Sequence, residues 1–333
     1  AAAARARAGS TTIMRAFARC VPAMQLYRSL SSISANSDPR VVAIGVFDGL
    51  HLGHQQIIAE AKALAKTRGA RATVLTFEPM PREYLTPDNP PPRLTSFRER
   101  FELMRSFGVD DMCCLRFGDV QQLASEQFID SLLVGRLMAS AIIVGDDFRF
   151  GVGRQGTVED LVEASRLRDF DVRQIPPVVC GGDRVSSTAV RFALAEGDFG
   201  RARAMLGRDY SITGRVTHGL SLGRKLGFPT ANIALRRRAV ALSGIFAVRV
   251  GGLGNDLIDG VASLGTRPTV GGDQVLLEVH LFDFDADIYG RRIDVRFIHR
   301  LRAEEKFADL DAMRSQMKLD AAQARAALTA PMT

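Results

Sequence analysis

The sequence predicts two domains: an α/β domain with a parallel sheet, then an antiparallel β domain that ends in a helix. Three observations predict this. Strand and helix signals alternate from Val41 to about Gly207, and such alternation builds a parallel sheet with helices on its faces. After Leu206-Gly207 the signals become short strands with Gly, Asp and Asn between them, the pattern of a sandwich or barrel. The length of 333 residues suits two domains of ~100–200 residues each.

The elements follow in order. Residues 41–46 are a short apolar run ending in a glycine turn. Residues 55–67 have helical spacing at Ile57, Ile58, Ala61, Leu64 and Ala65. Residues 72–77 read as the next strand, and 78–95, with six prolines, as a loop. Ser96-Phe97-Arg98-Glu99 is a capping box, and Gly108 marks the end of the helix it opens. Residues 112–117 and 141–144 read as strands, with a helix from about Ser125 between them. In the second domain, 210–216, 245–250, 257–264, 275–282 and 293–299 are strand-like. A helix is expected over 307–328, with Leu310, Met313, Met317 and Ala321 on one face.

Composition narrows the function. Apolar residues make up 46% and charged residues 24%, ordinary globular values that exclude a disordered chain, a collagen-like chain or a small disulfide scaffold. The greasiest stretch, 132–144, is broken by Arg136, so no membrane partner is expected. The net charge is +7, and Arg5, Arg7, Arg15, Arg19 and Arg28 precede the first acid, Asp38. The remainder is nearly balanced, there is no Trp, and no basic run exceeds Arg236-Arg237-Arg238. No nucleic-acid partner is therefore expected. Cys20, Cys113, Cys114 and Cys180 form no C-x-x-C pair, and Cys113-Cys114 in an apolar run points to buried reduced thiols and a cytoplasmic setting. Residues 1–23, rich in Ala, Arg and Ser, are expected to be a disordered extension.

Chemistry concentrates in a few blocks. Gly45-Val46-Phe47-Asp48-Gly49-Leu50-His51-Leu52-Gly53-His54 lies where the first strand feeds the first helix. A helix amino terminus offers free N–H groups and partial positive charge to phosphate. Gly49 and Gly53 allow close approach, and His51 and His54 add ring donors at i, i+3. Alone, H-x-G-H is a weak signal: its bland alternative is a pair of capping histidines, and a zinc site would have no third ligand nearby. Gly145-Asp146-Asp147-Phe148-Arg149-Phe150-Gly151 follows an apolar strand and reads as a ligand loop or as a turn whose phenylalanines enter the core. Val185-Ser186-Ser187-Thr188-Ala189-Val190-Arg191 reads as a helix cap with a cation one turn in. Gly214-Arg215-Val216-Thr217-His218-Gly219 and Gly223-Arg224-Lys225-Leu226-Gly227-Phe228-Pro229-Thr230-Ala231-Asn232 form a basic, glycine-punctuated loop and strand. Thr230 and Asn232 share a face if extended and offer oxygen ligands of the kind Mg²⁺ takes. Glu278 sits among aliphatics in 275–281, either half-exposed on an alternating strand or buried with a shifted pKa.

Together these blocks, from about Met24 to the chain end, resemble the bacterial bifunctional riboflavin kinase/FMN adenylyltransferase (FAD synthetase) family. Gly265-Thr266-Arg267-Pro268-Thr269, Asp287-Ile288-Tyr289-Gly290 and Leu301-Arg302-Ala303-Glu304-Glu305-Lys306-Phe307 fit the same family in the same order. The resemblance implies a Rossmann-like nucleotidyltransferase domain over 24–207. It implies an antiparallel β-barrel riboflavin kinase domain with a C-terminal helix over 208–333. It implies phosphorylation of riboflavin to FMN and adenylylation of FMN to FAD, with Mg²⁺ as cofactor, ATP as co-substrate and flavins as substrates and products. By resemblance, His51 and His54 act on ATP phosphates, with Gly45, Phe47, Asp48, Gly53, Ser187, Thr188 and Arg191 around that nucleotide. Gly223 and Lys225 bind the kinase's ATP, Thr230 and Asn232 hold its metal, and Glu278 is the general base. Asp147, Phe148, Arg267 and Arg302 lie near the flavin. Phe246 stands where relatives often have tyrosine, and Met80 where some have histidine. A monomer or weak homo-oligomer is expected. The alternatives are a nucleotidyltransferase acting on pantetheine phosphate or nicotinamide mononucleotide, a flavin-binding regulator, and a flavin redox protein.

Overall fold

The structure, a computed structural model, describes residues 24–33, 38–219, 223, 227–235, 237, 239–269 and 272–329. The extension expected over residues 1–23 lies outside the described residues. The chain forms two compact units that are not two consecutive stretches. One takes the residues up to Val46, Gln56–Pro79 and Phe101–Ile175, and the other Phe47–Gln55, Met80–Arg100 and Pro176–Thr333.

The first unit is built on a six-stranded sheet. Its strands are β1 (Gln25–Tyr27), β2 (Arg40–Ile44), β3 (Arg71–Glu78), β4 (Asp111–Arg116), β5 (Ala139–Gly145) and β6 (Asp171–Ile175). All pairs are parallel, in the order β1-β4-β3-β2-β5-β6. All five residues of β2 are buried, as strands covered on both faces require. The four strands expected here are found, with ends shifted by a residue or two. Strands β1 and β6 are not legible in the sequence, because both lie at the edges of the sheet. Asp171-Val172-Arg173-Gln174-Ile175 leaves three of its five residues exposed, so it carries no apolar run. The helices that lie mostly or wholly in this unit are α1 (Leu52–Arg68), α3 (Phe97–Ser106) and α4 (Val158–Leu167). The stretch from Ser125 is helical, continuing as a π-helix over Phe128–Arg136.

Strand order reverses between β2 and β5. Ligands of open parallel sheets bind beyond the carboxyl ends of the strands at such a point. The loops beginning at Gly45 and Gly145 leave these two neighbouring strands there. At the opposite end Asp111, fully buried, accepts hydrogen bonds from Arg71 (Nε 2.8 Å, Nη2 2.6 Å), Arg40 (Nε 3.3 Å) and Thr73 (Oγ1 3.3 Å). Arg40 is also buried and donates to Leu137 O. Cys113 and Cys114 are buried free thiols, and burial pushes the Cys113 thiol up to about 12.

In the second unit a closed barrel runs β10-β13-β12-β11-β14-β9, every pair antiparallel. Its strands are β9 (Ser211–Thr217), β10 (Ala231–Ala234), β11 (Gly244–Gly251), β12 (Ile258–Thr269), β13 (Gly272–Leu281) and β14 (Arg292–Arg302). A small hairpin, β7 (Val179–Cys180) with β8 (Asp183–Arg184), precedes them. The barrel is filled by side chains such as Ile212, Val248, Leu264, Leu277 and Val295. Phe246 meets Phe297 edge-on at 5.2 Å and is fully buried, a place where a hydroxyl would need a partner. Helices α5 (Ser187–Glu196) and α6 (Phe199–Leu206) add Val190, Leu194, Phe199 and Leu206 to the same core.

The last helix, α7 (Leu310–Thr329), packs Ala324 and Leu328 against Ala247 and Phe282 on the barrel's outer face. Leu310, expected on its packed face, is exposed, because α7 begins there and the buried stripe sets in later, at Asp320, Ala324 and Leu328. The proline-rich loop also differs from expectation. It contains α2 (Pro81–Leu85), where Pro81 takes the first helical position and Glu83 accepts from Met80 N at 3.1 Å. Proline suits that position because its missing N–H would have no helical partner.

Removing the Asp111 carboxylate would leave Arg40 buried without its counter-ion. Asp111→Ala is expected to lower the unfolding free energy by ~3–5 kcal/mol in a urea titration. A loss under about 1 kcal/mol, the worth of an exposed pair, would contradict this role.

Candidate functional site

Between β2 and α1 the backbone takes an unusual path. Phe47 (φ 56°), Gly49 (φ 79°) and Leu50 (φ 42°) are all left-handed, and Phe47 and Leu50 are fully buried. Each non-glycine residue in this region costs ~1–3 kcal/mol, so the turn persists only where its surroundings hold it. A Cβ at Gly49 would lie 2.7 Å from Leu94 Cδ1, so glycine alone fits. Asp48 supplies most of the hold. Its carboxylate, 2% exposed, accepts from Leu94 N (3.0 Å), Thr95 N (2.9 Å) and Thr95 Oγ1 (3.0 Å), and pairs with Arg191 Nη2 at 2.6 Å. Thr95 Oγ1 accepts from Gly49 N at 3.0 Å, and Ser187 Oγ donates to Asp48 O at 2.9 Å. Arg208 donates to Gly49 O (Nη2, 2.7 Å) and Leu50 O (Nη1, 3.3 Å). Gln55 Nε2 donates to Leu50 O and Leu206 O, each at 2.8 Å.

The two histidines of this turn stack. Their ring centroids are 3.7 Å apart, and the Phe47 ring lies 5.2 Å from that of His54. A Cβ at Gly53 would stand 3.3 Å from the His51 ring, so the glycine leaves room for it. His54 N–H donates to His51 Nδ1 at 3.4 Å, which places the proton of a neutral His51 on Nε2. Burial pushes the His51 pKa down to about 4. Asp48 opposes the shift, and the guanidiniums of Arg184, Arg191 and Arg208 add to it. His54 is held well below its ordinary value, first by burial, then by His51 and Arg100. Both rings are therefore neutral at pH 7, and His54 Nδ1 is buried without a hydrogen-bond partner.

Phe47, Asp48, His51, Gly53, His54, Ser187 and Arg191 thus gather within one unit. Arg191 is aimed by Asp48 and by Pro92 O, which accepts from its Nε at 2.7 Å. Ser186, not its neighbours, caps α5 by accepting from Ala189 N at 3.1 Å, and Thr188 is exposed. Gly45 donates its N–H to Leu75 O at 3.1 Å. Asp147 and Phe148 belong to the other unit. There Asp147 is exposed, while the half-buried Phe148 stacks on Phe150 at 5.7 Å, and Phe150 meets Phe128 at 5.0 Å. Leu94, Thr95, Gln55 and Arg208 are not legible as site residues in the sequence. They touch the turn across 46 or more residues of chain, or through backbone carbonyls, and neither leaves a local pattern.

A second cluster lies on the outside of the barrel. Along β13, Val275, Leu277 and Val279 enter the core, while Leu276, Glu278 and His280 are half-exposed on the outer face. These three line a cavity of about 390 Å³ together with Thr230, Ser263, Arg302, Glu304 and Asp320. Glu278 lies opposite Asn232 on β10 and Ser263 on β12. Asn232 is nearly buried, its carboxamide against Gly219, where a Cβ would overlap it. Gly223 O accepts from Phe228 N at 2.8 Å. Lys225 and the Arg267 side chain lie outside the described residues. Arg302 is held bidentately by Asp320 (Nε–Oδ1 and Nη2–Oδ2, both 2.8 Å), and Gln316 Nε2 adds a hydrogen bond to Asp320 at 2.9 Å. Asp320 escaped the sequence reading. Its signal is a carboxylate at helical spacing between Met317 and Ala324, where an acid needs a partner. Burial raises the Glu304 carboxyl pKa, with Ser263 and Arg302 opposing.

Among the described residues no three His, Cys, Asp or Glu side chains gather as a metal site. The hydroxyl of Thr230 and the carboxamide of Asn232, with Glu278 opposite, are hard oxygen donors. They fit Mg²⁺ that arrives with phosphates and water in its shell. No helix among the described residues is long and apolar enough to cross a membrane.

Comparison with known proteins gives concordant results. Residues 33–189 match the FAD synthetase family and residues 206–328 the riboflavin kinase family. A bifunctional riboflavin kinase/FMN adenylyltransferase of Escherichia coli (strain K12) is 42% identical over 304 residues, 91% of this chain and 97% of that one. The enzyme of the same name from Pseudomonas fluorescens is 44% identical over 310 residues, 92% of this chain and 99% of that one. A crystal structure titled as a macrolide-efflux protein from Streptococcus pneumoniae superposes with TM-score 0.75 at 30% identity, covering 91% of this chain and 98% of that one. Both family matches fall in order on one chain, and relatives of this identity align along nearly all of it: the protein belongs to the bifunctional riboflavin kinase/FMN adenylyltransferase family.

Proposed function

We propose that the Phe47–Gln55 turn is the adenylyl-transfer centre, within 24–207, and that the cavity beside Glu278 is the phosphoryl-transfer centre, within 208–333. The protein is a riboflavin kinase and FMN adenylyltransferase. In the first reaction the riboflavin 5′-hydroxyl oxygen bonds to the γ-phosphorus of ATP, ADP leaves, and Glu278 takes the hydroxyl proton. In the second, a phosphate oxygen of FMN bonds to the α-phosphorus of a second ATP, and pyrophosphate leaves. The observation that carries the kinase reading is that Thr230, Glu278 and Arg302, distant in sequence, line one cavity. Mg²⁺ brought with ATP would neutralise phosphate charge, and Thr230 and Asn232 would hold it. In this reading Gly223 and Lys225 are assigned to the kinase's ATP, and Arg267 and Arg302 to the flavin.

The second reaction needs no base, because the FMN phosphate is already ionised. What it needs is alignment and charge stabilisation. Neutral His51 offers an Nε2–H to a phosphoryl oxygen, and Arg191, aimed by Asp48, offers a cation. Gly45, Phe47, Gly53, Ser187 and Thr188 shape the nucleotide's place, and Asp147 and Phe148 are assigned to the flavin. Buried thiols at Cys113 and Cys114 suit a reducing cytoplasm. The enzyme works on small molecules as a monomer or weak homo-oligomer.

Chromatography of riboflavin, FMN and FAD tests the division. Glu278→Gln should lower FMN formation ~10²–10⁴-fold and leave FAD formation from supplied FMN intact. The His51→Ala/His54→Ala double variant should do the reverse, lowering FAD formation by ~10²-fold or more. Equal loss of both activities in either variant would contradict the assignment. The histidines also set a pH dependence. The folded His51 pKa of about 4 lies below its ordinary 6.5, so the unfolded chain binds more protons in that window and stability falls as pH drops through it. His51→Gln should lose less stability than the wild type between pH 7 and 4.5. An NMR titration of His51 with a midpoint near 6.5 would refute the burial argument.

A further inference from the structure

The adenylyl-transfer turn falls in the stretch matched to FAD synthetase, residues 33–189, yet it packs in the compact unit that holds the barrel. Its ties there include residues that begin the riboflavin kinase stretch, 206–328. Leu206 O accepts from Gln55 Nε2 at 2.8 Å and from Arg208 Nη1 at 3.2 Å. The Arg208 fork continues to Gly49 O and Leu50 O. These are the carbonyls of the two left-handed residues directly before His51. A left-handed backbone turns its carbonyl away from the partner a helix would supply, so an outside donor must satisfy it. A planar guanidinium can span two adjacent carbonyls at fixed geometry, whereas an ammonium is a single point of contact.

We propose that Arg208, a residue of the riboflavin kinase stretch, is a positioning residue for adenylyl transfer: its guanidinium fixes the Gly49 and Leu50 carbonyls and thereby sets the His51 ring and the start of α1 against the ATP phosphates. Arg208 acts through the turn and is assigned no contact with substrate. The inference rests on the assignment of the Phe47–Gln55 turn to adenylyl transfer. The turn meets the phosphates already in bound ATP, so the loss of its two hydrogen bonds to Arg208 misplaces donors to a charged group, each worth about 10–100-fold in affinity.

The test uses the full chain with Arg208→Ala, Arg208→Lys, Gln55→Met and, as reference, His51→Ala. FAD formation is followed at varied ATP and varied FMN, and FMN formation from riboflavin is measured on the same preparations. Arg208→Ala should lower kcat/KM for ATP in FAD formation by about 10–100-fold, mostly through KM for ATP. KM for FMN and the rate of FMN formation should hold. Arg208→Lys should recover part of the loss. Gln55→Met, which removes the other side-chain donor to Leu50 O, should show the same ATP-specific defect in milder form, and it decides the question if Arg208→Ala does not fold. Unchanged ATP kinetics, equal loss of both activities, or a fall in kcat with KM for ATP unchanged would overturn the proposal. If His51→Ala depresses FAD formation and the Arg208 and Gln55 variants do not, the positioning role alone fails. If His51→Ala leaves FAD formation intact, the site assignment fails and the proposal with it.

Discussion

The Asp48 carboxylate is the interaction from which the first site is assembled. It draws together three stretches distant in sequence: its own turn, Leu94-Thr95, and Arg191 on α5. A buried carboxylate is costly unless its oxygens are satisfied. Here two backbone N–H groups, a hydroxyl and a guanidinium satisfy them. That same set stabilises the left-handed backbone of Phe47 and Leu50, which neither residue would adopt in isolation. The stack of His51 on His54, the space above Gly53 and the aim of Arg191 all follow from this arrangement.

Under the proposed assignment the two centres face different electrostatic problems. The kinase step must remove a proton from a neutral hydroxyl. Glu278, the base proposed for it, stands half-exposed on the barrel's outer face, within reach of solvent. The adenylyl step begins with an anionic nucleophile and has no proton to remove. The histidines proposed for it, His51 and His54, are buried and uncharged, which suits rings that donate hydrogen bonds at fixed geometry.

Local periodicity carried most of the fold into the sequence. The alternation in β13 is visible from Val275 to His280, and the capping box at Ser96 and Glu99 forms as written, with Ser96 N donating to Glu99 at 2.6 Å. His51 and His54 at i, i+3 do share a face, and Thr230 and Glu278 line one cavity. What stayed hidden depends on long-range partners. Asp48 reads as a ligand in a glycine-rich block, but its oxygens bond protein atoms about 46 and 143 residues away. Arg302 reads as an available cation until Asp320 is seen to hold it. The edge strand β6 has too few apolar residues to announce itself, and α2 hides among prolines that normally break helices.

The alternation along β13 separates two selective demands by odd and even residue number. Val275, Leu277 and Val279 fill the barrel, so a change at any of them is felt first as lost packing. Leu276, Glu278 and His280 face the cavity and contribute little to that core. One ten-residue strand therefore offers mutation a ready-made partition. Variation at even positions can explore new ligand preferences while the fold is inherited intact, and a barrel of this kind can drift in chemistry without passing through unfolded ancestors.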